Sequence, residues 1–297
     1  MPHTLVPGTT PATAVAGGER GEIVTIGRSH AVAPKDWHDR IDDVADREVG
    51  DSFESAPVAR SYPLLYEAPT PVGALFRARL KLVLAVLAAI PGGVLLDAGC
   101  GGGQVSRAVL DERRGAFSIT ALDRSGTMLE TARSTIGEEA TLVAGRVEEL
   151  PFDDASFDVA LALGVLEYVV DLDTSVSELA RVVRPGGVVV VSMQNPYSPY
   201  RVWEKAVLPQ VMRLKGVSLR YDERAVGERR LVRTLRAAGL EPADVAYYNF
   251  NLFPIPFDQR FSAQEMGLAA RLAPLGRGHL RRLAADMLVS TRRTAPV

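Results

Sequence analysis

Residues 94–104 read VLLDAGCGGGQ. A short apolar run ends in an acid, Asp97, and then in Gly99, Cys100, Gly101, Gly102 and Gly103, followed by Gln104. Glycine carries no Cβ, so such a loop lets a ligand come close to the backbone. Three classes of ligand compete for it. A phosphate-cradling loop needs a lysine and a hydroxyl residue directly after the glycines, whereas the first basic residue here is Arg107, which excludes it. A dinucleotide fingerprint, G-x-G-x-x-G, finds Gln104 or Ser106 where its third glycine belongs, and stays open. The third pattern is Asp-x-Gly-x-Gly-x-Gly, carried by Asp97, Gly99, Gly101 and Gly103. A carboxylate beside backbone carbonyls suits a cation-bearing ligand without a pyrophosphate.

Working outward, apolar runs and helical spacings alternate. Strands are predicted at residues 94–96, 118–122, 141–144, 158–163, 188–192, 244–250 and 286–291. Helices fall between them: one to about 113, one capped by Ser125 and stopped by Gly137, one at 174–184, and one at 229–238 stopped by Gly239. Pro185-Gly186-Gly187 is read as a turn into the fifth strand. The expected fold class is α/β: a doubly wound, mostly parallel seven-stranded sheet with helices on both faces. Upstream, Leu80, Val83, Leu84 and Leu87 mark one helix face in residues 73–90. Pro57, Pro63, Pro69 and Pro71 predict loops and turns. Residues 36–54 read as an acidic amphipathic helix containing Trp37 and His38. The expected organisation is a disordered tail at 1–30, a helical lid segment at 31–72, and one domain at 73–297 with an insert at 196–228.

Composition narrows the function classes. The chain has 297 residues, a net charge of −2 and 47% hydrophobic residues, which is enough for a sizeable core without a nucleic-acid-binding charge excess. Its single cysteine, Cys100, excludes an internal disulfide and a multi-cysteine zinc site, and fits a reducing cytoplasm. No metal site is expected. The first residues lack the basic start and apolar core of a signal peptide, and no apolar run approaches the roughly 20 residues that span a bilayer.

With these elements in place the sequence resembles the class I, Rossmann-like S-adenosylmethionine (SAM)-dependent methyltransferases of small molecules. Five stretches carry the resemblance, in order. They are DAGCGGG from Asp97, DRSGTML from Asp123, GRVEELPFDDASFD from Gly145, LGVLEY from Leu163, and LARVVRPGG from Leu179. The resemblance implies SAM as cofactor and a small organic acceptor, an aromatic or natural-product intermediate among the options. It implies a cofactor site of Asp97, Gly99, Cys100, Gly101, Gly103, Gln104, Asp123, Arg124, Met128, Arg146, Val147, Leu163 and Gly164. Asp123, at the end of the second strand, would accept from both ribose hydroxyls, and Asp97 would serve the amino end.

Two departures stand out. Where the family has Asp-Ala, this chain has Arg146-Val147, and an arginine offers no acceptor to the adenine amine, so backbone or Glu148 must replace it. Where the family has histidine, this chain has Tyr168, a phenol that ordinarily ionises near pH 10. Tyr168 and His38 are the weak candidates for a general base; Trp37, Tyr168, Tyr197, Tyr200 and Trp203 are candidates for the acceptor side. The Asn195-Pro196-Tyr197 triplet resembles a base-flipping clamp, but it follows the fifth strand rather than the fourth and lacks one proline. A non-catalytic SAM-fold protein and an NAD-dependent oxidoreductase remain alternatives. Oligomeric state is not readable.

Overall fold

The computed structural model describes residues 22–25, 55–214, 217–220, 224–250, 271–272 and 276–295. In chain order the elements are β1 (Glu22–Thr25), α1 (Ala56–Glu67), α2 (Pro71–Ala88), β2 (Gly93–Ala98), α3 (Gln104–Glu112), β3 (Phe117–Asp123), α4 (Gly126–Ile136), β4 (Ala140–Ala144), β5 (Phe157–Ala162), α5 (Leu172–Val182) and β6 (Val183–Gln194). There follow α6 (Pro199–Val202), a π turn (Trp203–Val207), α7 (Leu208–Arg213), β7 (Val217–Arg220), α8 (Glu228–Ala237), β8 (Leu240–Tyr248) and β9 (Asp286–Arg293).

Seven strands form one sheet in the order β4-β3-β2-β5-β6-β9-β8. It is parallel from β4 to β6, and β9 runs antiparallel to both its neighbours. The α/β expectation holds, with seven strands at the predicted places. β2 and β5 are apolar along most of their length because both sheet faces are covered. Helices α2, α3 and α4 lie on one face, where Val83, Leu87, Val105 and Val109 meet Leu95, Val159 and Val190. Helices α5 and α8 cover the other, where Val176, Leu179, Leu231 and Leu235 meet Leu96, Ala160 and Val189. Ser125 caps α4 as predicted, its Oγ accepting from the Met128 N–H at 3.1 Å. The strand order reverses between β2 and β5: β3 and β4 build to one side, β5 and β6 to the other. That switch point, at the carboxyl ends of the strands, is where such sheets bind ligands.

Three expectations need correction. The proline-rich stretch before residue 71 is not loop: Ala56–Glu67 is the helix α1. Pro57 sits in its first turn, where the missing N–H costs nothing, and Pro63 is carried inside it. Within the expected tail, Glu22–Thr25 pairs in parallel with Val217–Arg220. Pro185-Gly186-Gly187 does not interrupt the chain but bulges within β6, whose register with β5 passes from Phe157↔Val183 to Val159↔Val188. The insert after the fifth strand of the sheet is helical, as expected: residues 199–213 form one helical run with a π turn in its middle. The acidic helix expected at 36–54, with Trp37 and His38, lies outside the described residues. No helix among the described residues is long and apolar enough to cross a membrane.

Candidate active site

The glycine loop is pinned to the end of the neighbouring strand. Gly99 and Cys100 both donate to the Leu122 carbonyl, at 2.7 and 2.9 Å. Asp123 then organises what surrounds it: Oδ2 accepts from the Gly101 N–H at 2.8 Å and Oδ1 from the Ser125 N–H at 2.9 Å. A carboxylate oxygen can accept from more than one donor. Gly101 has φ of +54°, and a Cβ there would stand 3.1 Å from Cε1 of Tyr62. The loop therefore needs glycine for conformation and for the close approach of that ring.

A cleft lies over this loop at the switch point. Ten of the predicted residues line it: Gly99, Gly101, Asp123, Arg124, Met128, Arg146, Val147, Leu163, Gly164 and Tyr168. Four others do not. Asp97 lies buried behind the loop, with Oδ2 accepting from the Ser106 hydroxyl at 2.7 Å. Burial pushes its carboxyl up to about 6, Asp123 adds to the rise, and Ser106 and Arg79 oppose it. Cys100 is buried among Ala121, Ala132 and Ile136, and burial raises its thiol well above the ordinary range. Gly103 packs on Ile136, and Gln104 turns back to donate to the Gly102 carbonyl at 2.9 Å. These two position α3 and α4 rather than the cleft.

Sequence reasoning missed three residues. Tyr62, from the helix read as loop, lines the cleft. Tyr66 stacks on Phe76 at 4.8 Å. Arg79, on α2, is 2% exposed. Its guanidinium lies 4.9 Å over the Phe76 ring, and Nη2 donates to the Tyr66 hydroxyl at 3.4 Å. Its Nε has no hydrogen-bond partner among the described residues, and it makes no ion pair there. Its Nη1 lies 2.5 Å from where a Cβ on Gly164 would stand, and Gly164 lines the cleft with φ of +71°. A buried cation thus sits against one wall, spaced from it by a residue that must be glycine. Burial raises both tyrosine phenols, with Arg79 opposing, so they stay protonated near neutral pH. The signal for Arg79 was present: it falls four residues after Leu75 and four before Val83, inside the buried stripe of α2.

The family model described as "Methyltransferase domain" matches residues 96–191. A malonyl-acyl-carrier-protein O-methyltransferase of Pseudescherichia vulneris is 33% identical over 195 residues, which is 64% of this chain and 72% of that one. The chain belongs to the class I SAM-dependent methyltransferases. A ubiquinone biosynthesis O-methyltransferase of Alkalilimnicola ehrlichii is 40% identical over 121 residues, 39% of this chain. There the match spans about half, 48%, of the relative's length. Among solved structures, the methyltransferase complexed with the Haloferax volcanii Trm112 methyltransferase activator shares the fold. Its TM-score is 0.54 at 22% identity, over 80% of this chain and 97% of that one. SAM is the methyl donor of the family.

In this frame the departures have visible consequences. Arg146 pairs with Glu148 at 3.3 Å and is half exposed. Glu148, also lining the cleft, accepts from the Val170 N–H at 3.1 Å. A carboxylate therefore stands two residues along from the family's usual acid. Tyr197, Tyr200 and Trp203 do not line this cleft. Tyr197 is 73% exposed against Gly227. Tyr200 lies under Arg201, 5.5 Å from its guanidinium. Arg201 bonds to Glu204 at 2.5 Å and reaches Asp286 at 3.4 Å, all three buried, which fastens the insert to the ends of β6 and β9. Asn195 is no base clamp: its amide donates to the Arg282 and Ala284 carbonyls, at 3.1 and 2.8 Å. Among the described residues no cluster of His, Cys, Asp or Glu could hold a metal ion.

Proposed function

We propose that this chain transfers the methyl group of SAM to an oxygen of a small organic acceptor, most simply a carboxylate, in the manner of its O-methyltransferase relatives. The observation that carries the reading is the placing of opposite charges around one cleft. Asp123 lines it and holds the glycine loop, and the buried Arg79, which makes no ion pair among the described residues, stands behind Gly164 in its wall. A dinucleotide would bring two phosphates to this loop, beside two carboxylates. SAM brings a ribose for Asp123, an ammonium for the Asp97 side and one carboxylate for Arg79. The match to the Pseudescherichia vulneris enzyme supports oxygen as the accepting atom.

When bound, SAM supplies an electrophilic methyl group on a sulfonium. The protein's own part is alignment and dryness. Asp123 orients the ribose end while holding the loop through Gly101. Met128, Val147 and Leu163 give the cleft apolar walls, and Glu148 offers an acceptor for the adenine amine. Arg79 fixes the carboxylate end through the gap that Gly164 leaves. Tyr62 closes on Gly101 from above and keeps water from the loop. Tyr168 faces the cleft where the family carries histidine. A carboxylate acceptor is already ionised near neutral pH and needs no general base, which accords with a phenol there. A phenolic acceptor would require a base, and His38 is the remaining candidate.

Incubation with methyl-labelled SAM decides the reading. Label should enter a base-labile ester on a short dicarboxylic thioester, and His38→Ala should leave that rate unchanged. Label in a base-stable ether, lost in His38→Ala, would replace the carboxylate with a phenol. Tight binding of NAD in place of SAM would end the reading altogether.

A further inference from the structure

The helical run 199–213 carries aliphatic side chains on its outer side. Val202 is 48% exposed, Val207 and Val211 each 37%, and Leu214, just after it, 90%. In a continuous α-helix, residues five apart point about 140° away from each other. Val202 would then lie well off the line of Val207, Val211 and Leu214. The π turn at Trp203–Val207, closed by Leu208 N–H donating to the Trp203 carbonyl, takes up the extra residue. It brings Val202 round to the side of the other three. The opposite side of the run is held by the buried Arg201, Glu204 and Asp286 network, so the stripe is fixed facing outward.

We propose that this stripe is a docking surface for an anionic lipid membrane, on which the protein rests with its acceptor end toward the bilayer. Charge favours this occupant. Among the described residues of the run the one acid, Glu204, is buried in its ion pair with Arg201. Arg213 is exposed, Lys205 is half-buried, and Lys215 follows in the sequence. Outward-facing aliphatics in a run that also carries basic residues have the composition of an interfacial helix. A second copy of the chain would set two basic runs against each other, which opposes pairing at low salt. The run leaves the carboxyl end of β6, the same end of the sheet as the cleft, so docking there places the cleft near lipid-borne acceptors. This inference goes beyond the methyl-transfer reading and does not depend on it.

The test is co-sedimentation of the full chain with phosphatidylcholine vesicles, with and without phosphatidylglycerol. The chain should bind the anionic vesicles and should release as salt is raised. Val207→Asp with Val211→Asp and Leu214→Asp should weaken that partitioning at least about tenfold. These positions are exposed, so melting temperature and SAM binding should not change; retained SAM binding also separates lost docking from misfolding and from failure of the methyl-transfer reading. Arg213→Glu should weaken binding to anionic vesicles only. Equal partitioning of the triple variant, or no binding by the wild type, overturns the proposal. So does a dimer in lipid-free solution that the triple variant breaks, or binding to an acidic carrier protein that the variant abolishes while vesicles bind neither form.

Discussion

Two loops leave the carboxyl ends of β2 and β6, which flank β5 in this sheet, and they are built on opposite terms. After β2, the glycine loop gives up side chains and is held by backbone bonds to Leu122 and by the Asp123 carboxylate. After β6, the insert is rich in side chains and is held by a buried ion network through Arg201. The first leaves backbone facing a cleft; the second leaves aliphatics facing outward. The difference separates a place where one cofactor must fit closely from a surface that any acceptor-side specialisation can occupy. Substitutions that confuse the two regions should have very unequal effects.

The largest effect is expected at Gly101. A valine there must leave φ of +54° or strain it, and its side chain meets Tyr62. Gly101→Val should weaken SAM binding more than about 100-fold by calorimetry, while the circular dichroism spectrum keeps its α/β form. A folded variant with normal SAM affinity would remove the glycine loop from the site. Next comes Arg79→Met, which keeps the apolar stem and removes the charge. A lost charge-assisted pair costs about 1.5–3 kcal/mol, so SAM and its demethylated product should both bind roughly 10- to 100-fold more weakly. Because the buried cation makes no ion pair among the described residues, the same change should raise the melting temperature of the free protein. A variant that is less stable and binds SAM normally would make Arg79 a structural residue.

Asp123→Ala should cost at least about tenfold in affinity for both SAM and its product, since each carries the same ribose. Gly101 and Ser125 would also lose the acceptor for their N–H groups, so some loss of stability should accompany it. A variant that discriminates SAM from product would instead place Asp123 near the sulfur.

The same contrast explains what was legible beforehand. The β2–β5 half was legible because parallel strands covered on both faces read as apolar runs, and because turns and loop ends there are marked by Gly, Asp and Ser. α1 was misread because prolines were weighed as breakers without regard to position; Pro57 lies in the first turn, where it favours a helix. Arg79 was overlooked because Leu80, Val83, Leu84 and Leu87 were taken as the inner face of α2. The structure turns Leu75, Phe76, Arg79, Val83 and Leu87 inward instead. An arginine inside an apolar stripe was the readable sign. The pairing of Glu22 with Val217 was not readable, because short strands so far apart identify their partner only once the fold brings them together. The acceptor side was likewise illegible: Tyr197, Tyr200 and Trp203 were candidates for it, and none of them lines the cleft over the glycine loop.

The smallest and most specific expectation concerns pH and Asp97. Its carboxyl is pushed up to about 6, mainly by burial, against an unfolded value near 3.9. The folded protein therefore holds this proton more tightly than the unfolded chain. That contribution to stability is fully present below about pH 3.9 and is lost as pH rises through about 6, an amount on the order of 2–3 kcal/mol. Binding of SAM should run the other way. Its ammonium favours the ionised carboxylate, so a protonated Asp97 must first give up its proton, and affinity should fall as pH drops below about 6. At pH 5 roughly one Asp97 in ten is ionised, so SAM should bind about tenfold more weakly than at pH 7. Asp97→Asn cannot ionise. Relative to wild type it should show weaker but pH-independent SAM binding between pH 5 and 7, and a melting temperature that falls less from pH 4 to 6. An affinity that declines equally in Asp97→Asn would assign the titration to another group. Asp97 would then be a buried prop for Ser106 rather than the counter-charge for the amino end.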